Sequence, residues 1–474
     1  GDLIASTVAS CITMGLCTGN SYLSILIPGE MFRDAYKARG LAAKNLSRTL
    51  EDAGTVFVPL VPWSAAGAYM TACTGIETLD YAPWAILCYT GFIIALFYGY
   101  TGIGIAKLED EKKEDKVVRI ADKIEGYEGM PEVEVFDFSG KKLLPGYIDM
   151  HMHITGGGGE QGPASRVPEA MLSQITSCGI TTVLGLLGTD GVTRSVENLV
   201  AKARALTEEG ITAYCLTGAY GIPSPTITGS IEKDIMMVPP IIGTKIAVSD
   251  HRSSNPQGPE LIEVATATRR GGLLANVAGL VTMHMGSGVG KLDPLFYALD
   301  HSDVPAKNFL PTHMLRTREL MEEGAKLVRR GGYFDMTAGS TDEDMEIGAE
   351  QIMEILSWEG MSTDHLTMSS DAFGSQPKFN ENGDCIGLTY CSPKYLHLTI
   401  KSLVRRGLPL EEAIKLLTST PAELLGKTGV KGCVAVGADA DLLVLDENLD
   451  IDALFAKGQV ALLDKEIVLK GRFE

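Results

Sequence analysis

Along this chain the apolar residues change their spacing twice. In the first part they fill three windows that hold no charged residue at all, 3–29, 53–76 and 81–106. Each exceeds the ~20 residues that carry a helix across a bilayer, so the spacing predicts an α-helical membrane segment over 1–107. The third window, YAPWAILCYTGFIIALFYGYTGIGIA, is unbroken, with Trp84 near one end and Tyr98 and Tyr100 towards the other, where interfacial aromatics sit. The first two are interrupted, by Thr18, Gly19, Asn20 and Ser21 and by Pro59 and Pro62. Such breaks are tolerated at membrane depth only where neighbouring protein or a water-filled path satisfies the backbone. Between them, RDAYKARGLAAKNLSR carries five basic residues and one acid, which places that loop on the cytoplasmic side. The second and third windows then form a hairpin that returns the chain to the cytoplasm, where the remainder is expected.

The second change comes at LEDEKKEDK, residues 108–116, a charge run without apolar period that reads as a solvated linker. Short β stretches follow, KVVRIADKI, EVEVFDF and KLLPGYIDMHMH. Beyond them apolar strands alternate with amphipathic helices. The strands fall at 180–188, 212–220, 241–250, 281–286, 308–314, 333–339 and 366–374; TRSVENLVAKARALTEEG and RTRELMEEGAKLVRRGG are two of the helices. With the strand that ends in His153 this makes eight. Strands alternating with helices over roughly 250 residues predict an α/β fold, a (β/α)8 barrel, over 145–425. The tail from GVKGCVAVGADADLLVLDENLD to KEIVLKGRFE is β-rich and, with 117–144, is assigned to a small β-sandwich domain over 117–144 and 426–474.

Composition changes this picture little. The net charge of −19 argues against a nucleic-acid surface. Residues 1–108 hold six Lys/Arg and seven Asp/Glu, so nearly all of that charge falls on the second part. The nine cysteines are scattered without a Cys-x-x-Cys pair and suggest a reducing compartment. The chain opens on Gly1 without a signal-peptide layout, as a segment of something longer would.

The chemistry concentrates where a barrel would gather it. Active sites of such barrels sit at the C-terminal ends of the strands. His151 and His153, one residue apart on a strand, point the same way and can grip one ion. Four glycines and Glu160 follow them. Tyr220 ends the third strand, Lys245 lies in the fourth, His284 in the fifth and His313 in the sixth, while Asp371 ends the eighth. These side chains would converge on one mouth. His251, His301, His365 and His397 are left as solvent or structural histidines.

The run GNSYLSILIPGEMFRDAYKARGLAAKNLSRTLEDAGTVFVPLVPWSAAGAYM resembles the C-terminal part of Na+/H+ antiporters of the NhaC type, over about residues 1–107. It is a terminal fragment, and a transporter needs its whole bundle around the ion site. From about Val117 onwards the chain resembles the isoaspartyl (β-aspartyl) dipeptidases of the amidohydrolase superfamily. HMHITGGGGE carries this most specifically, and TGAYGIP, GTKIAVSDHRS, TMHMG, PTHMLR and SSDAFGS follow in the family's order.

The resemblance implies a site and a reaction. His151 and His153 would bind one zinc, His284 and His313 a second, and Lys245 would take up CO2 to give a carbamate that bridges both. Asp371 would ligate a metal and act as general base, the paired ions would activate a bridging water, and Tyr220 would donate to the developing oxyanion. Cobalt or manganese would suit the same ligands. A β-aspartyl dipeptide carries an ammonium and two carboxylates. Glu160 would receive the ammonium, Arg252 and Arg316 the carboxylates, and Thr189 and Ser375 would add hydrogen bonds. The family also implies a homo-oligomer through the barrel domain.

One departure is visible. The soluble stretch before His151 is shorter than in the family, and the antiporter-like piece stands where the opening strands of the small domain belong. Other readings are a cyclic amidohydrolase of the hydantoinase or dihydroorotase kind, which would share the metal site, a membrane antiporter fragment with an inert C-terminal domain, and an accidental fusion of neighbouring genes.

Overall fold

The computed structural model describes residues 1–105, 115–124, 133–379 and 385–474. The chain divides into two compact units, Gly1–Glu114 and Asp115–Glu474.

In the first unit the apolar windows are helical but not continuous. Residues 3–29 split into α1 (Asp2–Thr18) and α2 (Ser21–Ala38), because Gly19 takes a left-handed conformation (φ 62°) and caps α1 by bonding Gly15 O. Then come α3 (Ala43–Leu50), a π-turn at Glu51–Thr55 and a 3-10 turn at Val58–Leu60, and α4 (Ala65–Thr74) begins after Pro62 with Ser64 as its cap. The third window divides into α5 (Thr78–Tyr81), a 3-10 turn at Ala82–Trp84 and α6 (Ile86–Thr101). The first two windows break where their Gly and Pro residues fall, and the third, expected to be unbroken, is divided as well. No single helix among the described residues is long and apolar enough to cross a membrane. Two bent pairs are, 43–60 with 65–74 (50°) and 78–84 with 86–101 (56°). Within the unit Leu3, Ile4, Val8 and Cys11 pack with Tyr36, Leu46, Leu50 and Ala95.

The second unit begins pinned rather than tethered. Most of the expected linker 108–116 lies outside the described residues, but Lys116 forms an antiparallel bridge with Asp439, and Val117 N–H donates to Ala438 O (2.9 Å). The strands expected at KVVRIADKI and EVEVFDF are otherwise absent among the described residues. Phe136 and Phe138 satisfy their apolar face by packing on the Phe455 ring (centroids 5.3 and 6.1 Å) without forming a strand themselves. The small domain is one antiparallel sheet. In it β1 (Lys142–Pro145) pairs with a C-terminal strand at Leu442–Leu445, which is followed by Ile451–Ala456, Gln459–Leu463 and Glu466–Ile467. Lys431 anchors this sheet. It is 4 % exposed, and its ammonium meets Asp439 (2.7 Å), Asp441 (2.5 Å) and the Thr212 hydroxyl (2.6 Å).

All eight expected barrel strands form. β2 (Tyr147–Met152), β3 (Ile180–Gly185), β4 (Thr212–Gly218), β5 (Ile241–Val248), β6 (Leu280–Met285) and β7 (Phe309–Thr312) make one parallel sheet in sequence order; β8 (Phe334–Thr337) and β9 (Leu366–Ser369) make a parallel pair. Single backbone bonds join the two at both edges: Met314 N–H to Asp335 O (3.3 Å) and His153 N–H to Ala372 O (2.9 Å). This parallel sheet is consistent with a (β/α)8 fold. β2, β3, β5 and β6 are buried at every position, as a parallel sheet covered on both faces requires. Helices follow the strands, among them Val196–Glu209 and Arg318–Val328, capped by the Ser195 and Thr317 side chains. After β9 a hairpin, β10 (Ser375–Phe379) and β11 (Cys385–Tyr390), rises beside the strand ends.

Candidate active site

The strand ends bring the expected side chains together. Asp371 Oδ1 lies 3.0 Å from His153 Nε2 and 3.4 Å from His151 Nε2. Lys245 Nζ is 3.1 Å from His151 Nε2. The His313 ring stands 5.0 Å from that of His151 and 4.5 Å from that of His284. His151, His313 and Asp371 each offer an atom within 4.8 Å of the others. Two of these residues stand just beyond their strands in left-handed backbone, His313 at φ 66° and Asp371 at φ 52°. That turn is why the strands end earlier than their apolar runs, and non-glycine residues hold it only under constraint from their surroundings.

Burial decides the charge states. Lys245 is fully buried, which pushes its ammonium down to about 7 although Asp371 and Asp335 pull the other way. Near neutral pH it is therefore partly a free amine, the form that can add CO2. Burial, then neighbouring cations, hold His151 and His313 well below the ordinary imidazole range, and burial lowers His284 to about 3. Neutral imidazoles are the form that ligates. His151 Nδ1, His153 Nδ1, His313 Nε2 and Asp371 Oδ1 are buried without a hydrogen-bond partner among the described residues. The atoms that converge are His151 Nε2 and His153 Nε2, both beside Asp371 Oδ1, with the His313 ring next to them, and buried imidazoles gathered around a carboxylate fit a divalent cation.

His284 is held differently. Its Nδ1 accepts from the Tyr220 hydroxyl (2.7 Å), and its Nε2 lies 3.0 Å from Asp250 Oδ2. Both nitrogens are engaged, and Arg252 Nη2 (3.1 Å) and Arg316 Nη1 (3.2 Å) also stand beside Nε2, so ligation by His284 requires Tyr220, or Asp250 and both arginines, to yield. Tyr220, whose phenol burial raises, spends its proton on His284 here rather than pointing it at an open oxyanion position. Asp250 is a residue that the motif reading passed over. Burial pushes its carboxyl up, but hydrogen bonds from His284 and from Arg252 Nε and Nη2 (both 2.9 Å) outweigh that and hold it well below the carboxylate range. A lone acid beside a barrel strand end, in SDHRS, was the available signal.

A second cluster forms around Glu160. Its Oε1 accepts from Thr189 Oγ1 (3.0 Å) and Arg252 Nη1 (3.4 Å), and its Oε2 from Ser375 Oγ (2.9 Å). Arg316 donates to Met285 O (2.6 Å) and lies 3.8 Å from Asp250 Oδ2. Glu160 and Thr189 also line a cavity of about 350 Å³. The glycine run is what lets Glu160 reach this place: at Gly156 (φ 75°) a Cβ would strike Val167 O at 2.0 Å, and at Gly158 (φ 79°) Ser165 O at 2.4 Å. Buried Arg194 grips the same loop by donating to the carbonyls of Thr155, Gly157 (3.2 Å) and Val167 (2.9 Å). Of the four remaining histidines, His251 is exposed with its Nδ1 3.7 Å from Asp250 Oδ1, His301 stacks on Tyr297, His365 Nδ1 bonds Gly332 O and His397 bonds Tyr147 and Leu449 O.

Parallel strands that deliver imidazoles, a lysine and a carboxylate to one mouth are the arrangement of an amidohydrolase-type hydrolase. Residues 402–465 match the amidohydrolase family and residues 1–103 the Na+/H+ antiporter family. The chain is similar to the β-aspartyl dipeptidase of Fervidobacterium islandicum AW-1, solved with β-Asp-Leu, at 40 % identity and TM-score 0.68, covering 75 % of this chain and 92 % of that one. A D-hydantoinase shares the fold at 18 % identity and TM-score 0.53, covering 78 % of this chain and 94 % of that one. The first unit is 55 % identical over 108 residues to an uncharacterised Na+/H+ antiporter of Haemophilus influenzae and 45 % over 107 to the antiporter NhaC of Alkalihalophilus pseudofirmus. Each match covers 23 % of this chain and 23 % of the relative, so the chain spans about a quarter of the length of the antiporters it matches. The chain belongs to the β-aspartyl dipeptidase-like amidohydrolases, with an NhaC-like antiporter region in front.

Proposed function

We propose that this chain hydrolyses the isopeptide bond of β-aspartyl dipeptides. The observation that carries the reading is the juxtaposition of two clusters: the buried His151, His153, His313 and Asp371 gathered beside Lys245, and the Glu160 carboxylate ringed by Thr189, Arg252 and Ser375. His151, His153, His284, His313 and Asp371 would hold two divalent ions, zinc by preference and cobalt or manganese as substitutes, with Lys245 between them as its carbamate. Bound there, the ions supply Lewis acidity and a water of lowered pKa.

The chain's own groups do the rest. Asp371 takes the proton from the attacking water and returns it to the leaving amine. Tyr220 releases His284 and donates to the oxyanion. Glu160 receives the substrate ammonium, exchanging the Thr189 and Ser375 hydroxyls, which then turn to the neighbouring carboxylate. Arg252 and Arg316 face the remaining carboxylate. The test is a substrate panel with zinc-loaded full chain. β-Asp-Leu is expected to be cleaved, with hydantoin and dihydrouracil untouched; cleavage of the cyclic amides alone would overturn the reading in favour of a cyclic amidohydrolase.

The antiporter-like unit is read as membrane-associated, with residues 33–48 and the catalytic unit on the cytoplasmic side, from the five basic residues of that loop. Trypsin access from the cytoplasmic face of vesicles checks it. Protection of the catalytic unit there would contradict it.

A further inference from the structure

Each left-handed ligand is preceded by a hydroxyl residue aimed at a buried carboxylate. Before His313, Thr312 Oγ1 donates to Asp335 Oδ2 (2.6 Å). Before Asp371, Ser370 donates to Asp149 through its hydroxyl and through its N–H (3.2 Å), and Ser370 Oγ in turn accepts from Ala372 N–H (2.9 Å). Both carboxylates are fully buried among the strands. Asp335 also accepts from Thr367 (2.7 Å) and Ser369 (2.5 Å), and so reaches from β8 to β7 and to β9. Asp149 also accepts from His151 N–H (3.1 Å), and so ties the strand of one ligand to the turn of another.

These clamps fall where the backbone ladder is thinnest. The continuous parallel sheet stops at β7 and β2, and β8–β9 is a separate pair joined to it by single bonds. Backbone that must hold a left-handed non-glycine residue needs neighbours that fix it, and here side chains do what the ladder does elsewhere. His313 is held a second time, its Nδ1 meeting Thr337 Oγ1 at 2.7 Å, which leaves Nε2 to face the other ligands.

We propose that Asp149 and Asp335 are positioning residues that keep Asp371 and His313 converged through the Ser370 and Thr312 hydroxyls. The inference rests on reading His313 and Asp371 as metal ligands. The test uses the full chain stripped of metal and titrated with Zn2+ against a chromophoric chelator, with the melting temperature of the metal-free protein read alongside. Thr312→Val and Ser370→Ala are expected to weaken zinc binding ~10–100-fold, the range for lost outer-shell partners, while the metal-free melting temperature stays near wild type. Thr312→Ser, which keeps the hydroxyl, is expected to bind zinc as wild type does. Asp335→Asn, which keeps shape but loses an acceptor, is expected to follow Thr312→Val; should it fail to fold, the hydroxyl variants decide alone. Zinc binding unchanged in Thr312→Val and Ser370→Ala would overturn the positioning role. A wild-type chain that binds no zinc, cobalt or manganese would overturn the ligand reading beneath it.

Discussion

The two units spend their apolar residues in opposite ways. In the second, four strands of the parallel sheet are buried at every position. In the first, Trp84 is 82 % exposed, Leu87 74 % and Phe97 55 %. One unit covers 92 % of a related dipeptidase; the other covers 23 % of the antiporters it resembles. An apolar face needs either its own core or a partner, and exposed apolar patches of this kind mark surfaces meant for protein or lipid. The second unit therefore carries an argument about chemistry, and the antiporter-like unit an argument about association with a membrane.

If that contrast is right, substitutions in the barrel site act on catalysis and removal of the first unit does not. Lys245→Ala removes the group at the centre of the cluster and is expected to reduce β-Asp-Leu hydrolysis more than ~10³-fold, read as kcat/KM with metal content measured alongside. Lys431→Met orphans Asp439 and Asp441 in the small sheet. A buried pair broken on one side costs about 3–5 kcal/mol, and urea unfolding of the full chain followed by near-UV CD should show it. Glu160→Gln weakens a charged hydrogen-bond partner and is expected to cost about 1.5–3 kcal/mol in kcat/KM for β-Asp-Leu, mostly as a higher KM. Smallest of all, a chain beginning at Asp115 is expected to keep its kcat/KM within about twofold. A larger loss would show that the enzyme depends on the antiporter-like unit.

The eight strands were legible because parallel strands buried on both faces are written as plain apolar runs. Their ends were not, since His313 and Asp371 leave the strand through backbone that composition does not announce. The residues that gather in the candidate site were legible from their places at those ends. Their partners were harder. Asp149 and Asp335 each sit inside an apolar strand, where an acid is costly unless it is paired, and that mismatch was a signal left unused. KVVRIADKI and EVEVFDF alternate as strands do, but alternation reports one apolar face, which Phe136 and Phe138 bury on Phe455 without a ladder. In the first unit, freedom from charge suggested three spans. Gly19, Pro59 and Pro62 broke two of them, and the turn at Ala82–Trp84 bent the third.

The central claim is that the Glu160 cluster and the buried His, Lys and Asp cluster act together on a β-aspartyl bond. The most direct measurement compares β-Asp-Leu with α-Asp-Leu, followed by release of free leucine from the zinc-loaded full chain. Cleavage of the β isomer alone is the predicted result. Equal cleavage of both, or of neither by protein shown to hold metal, would contradict it.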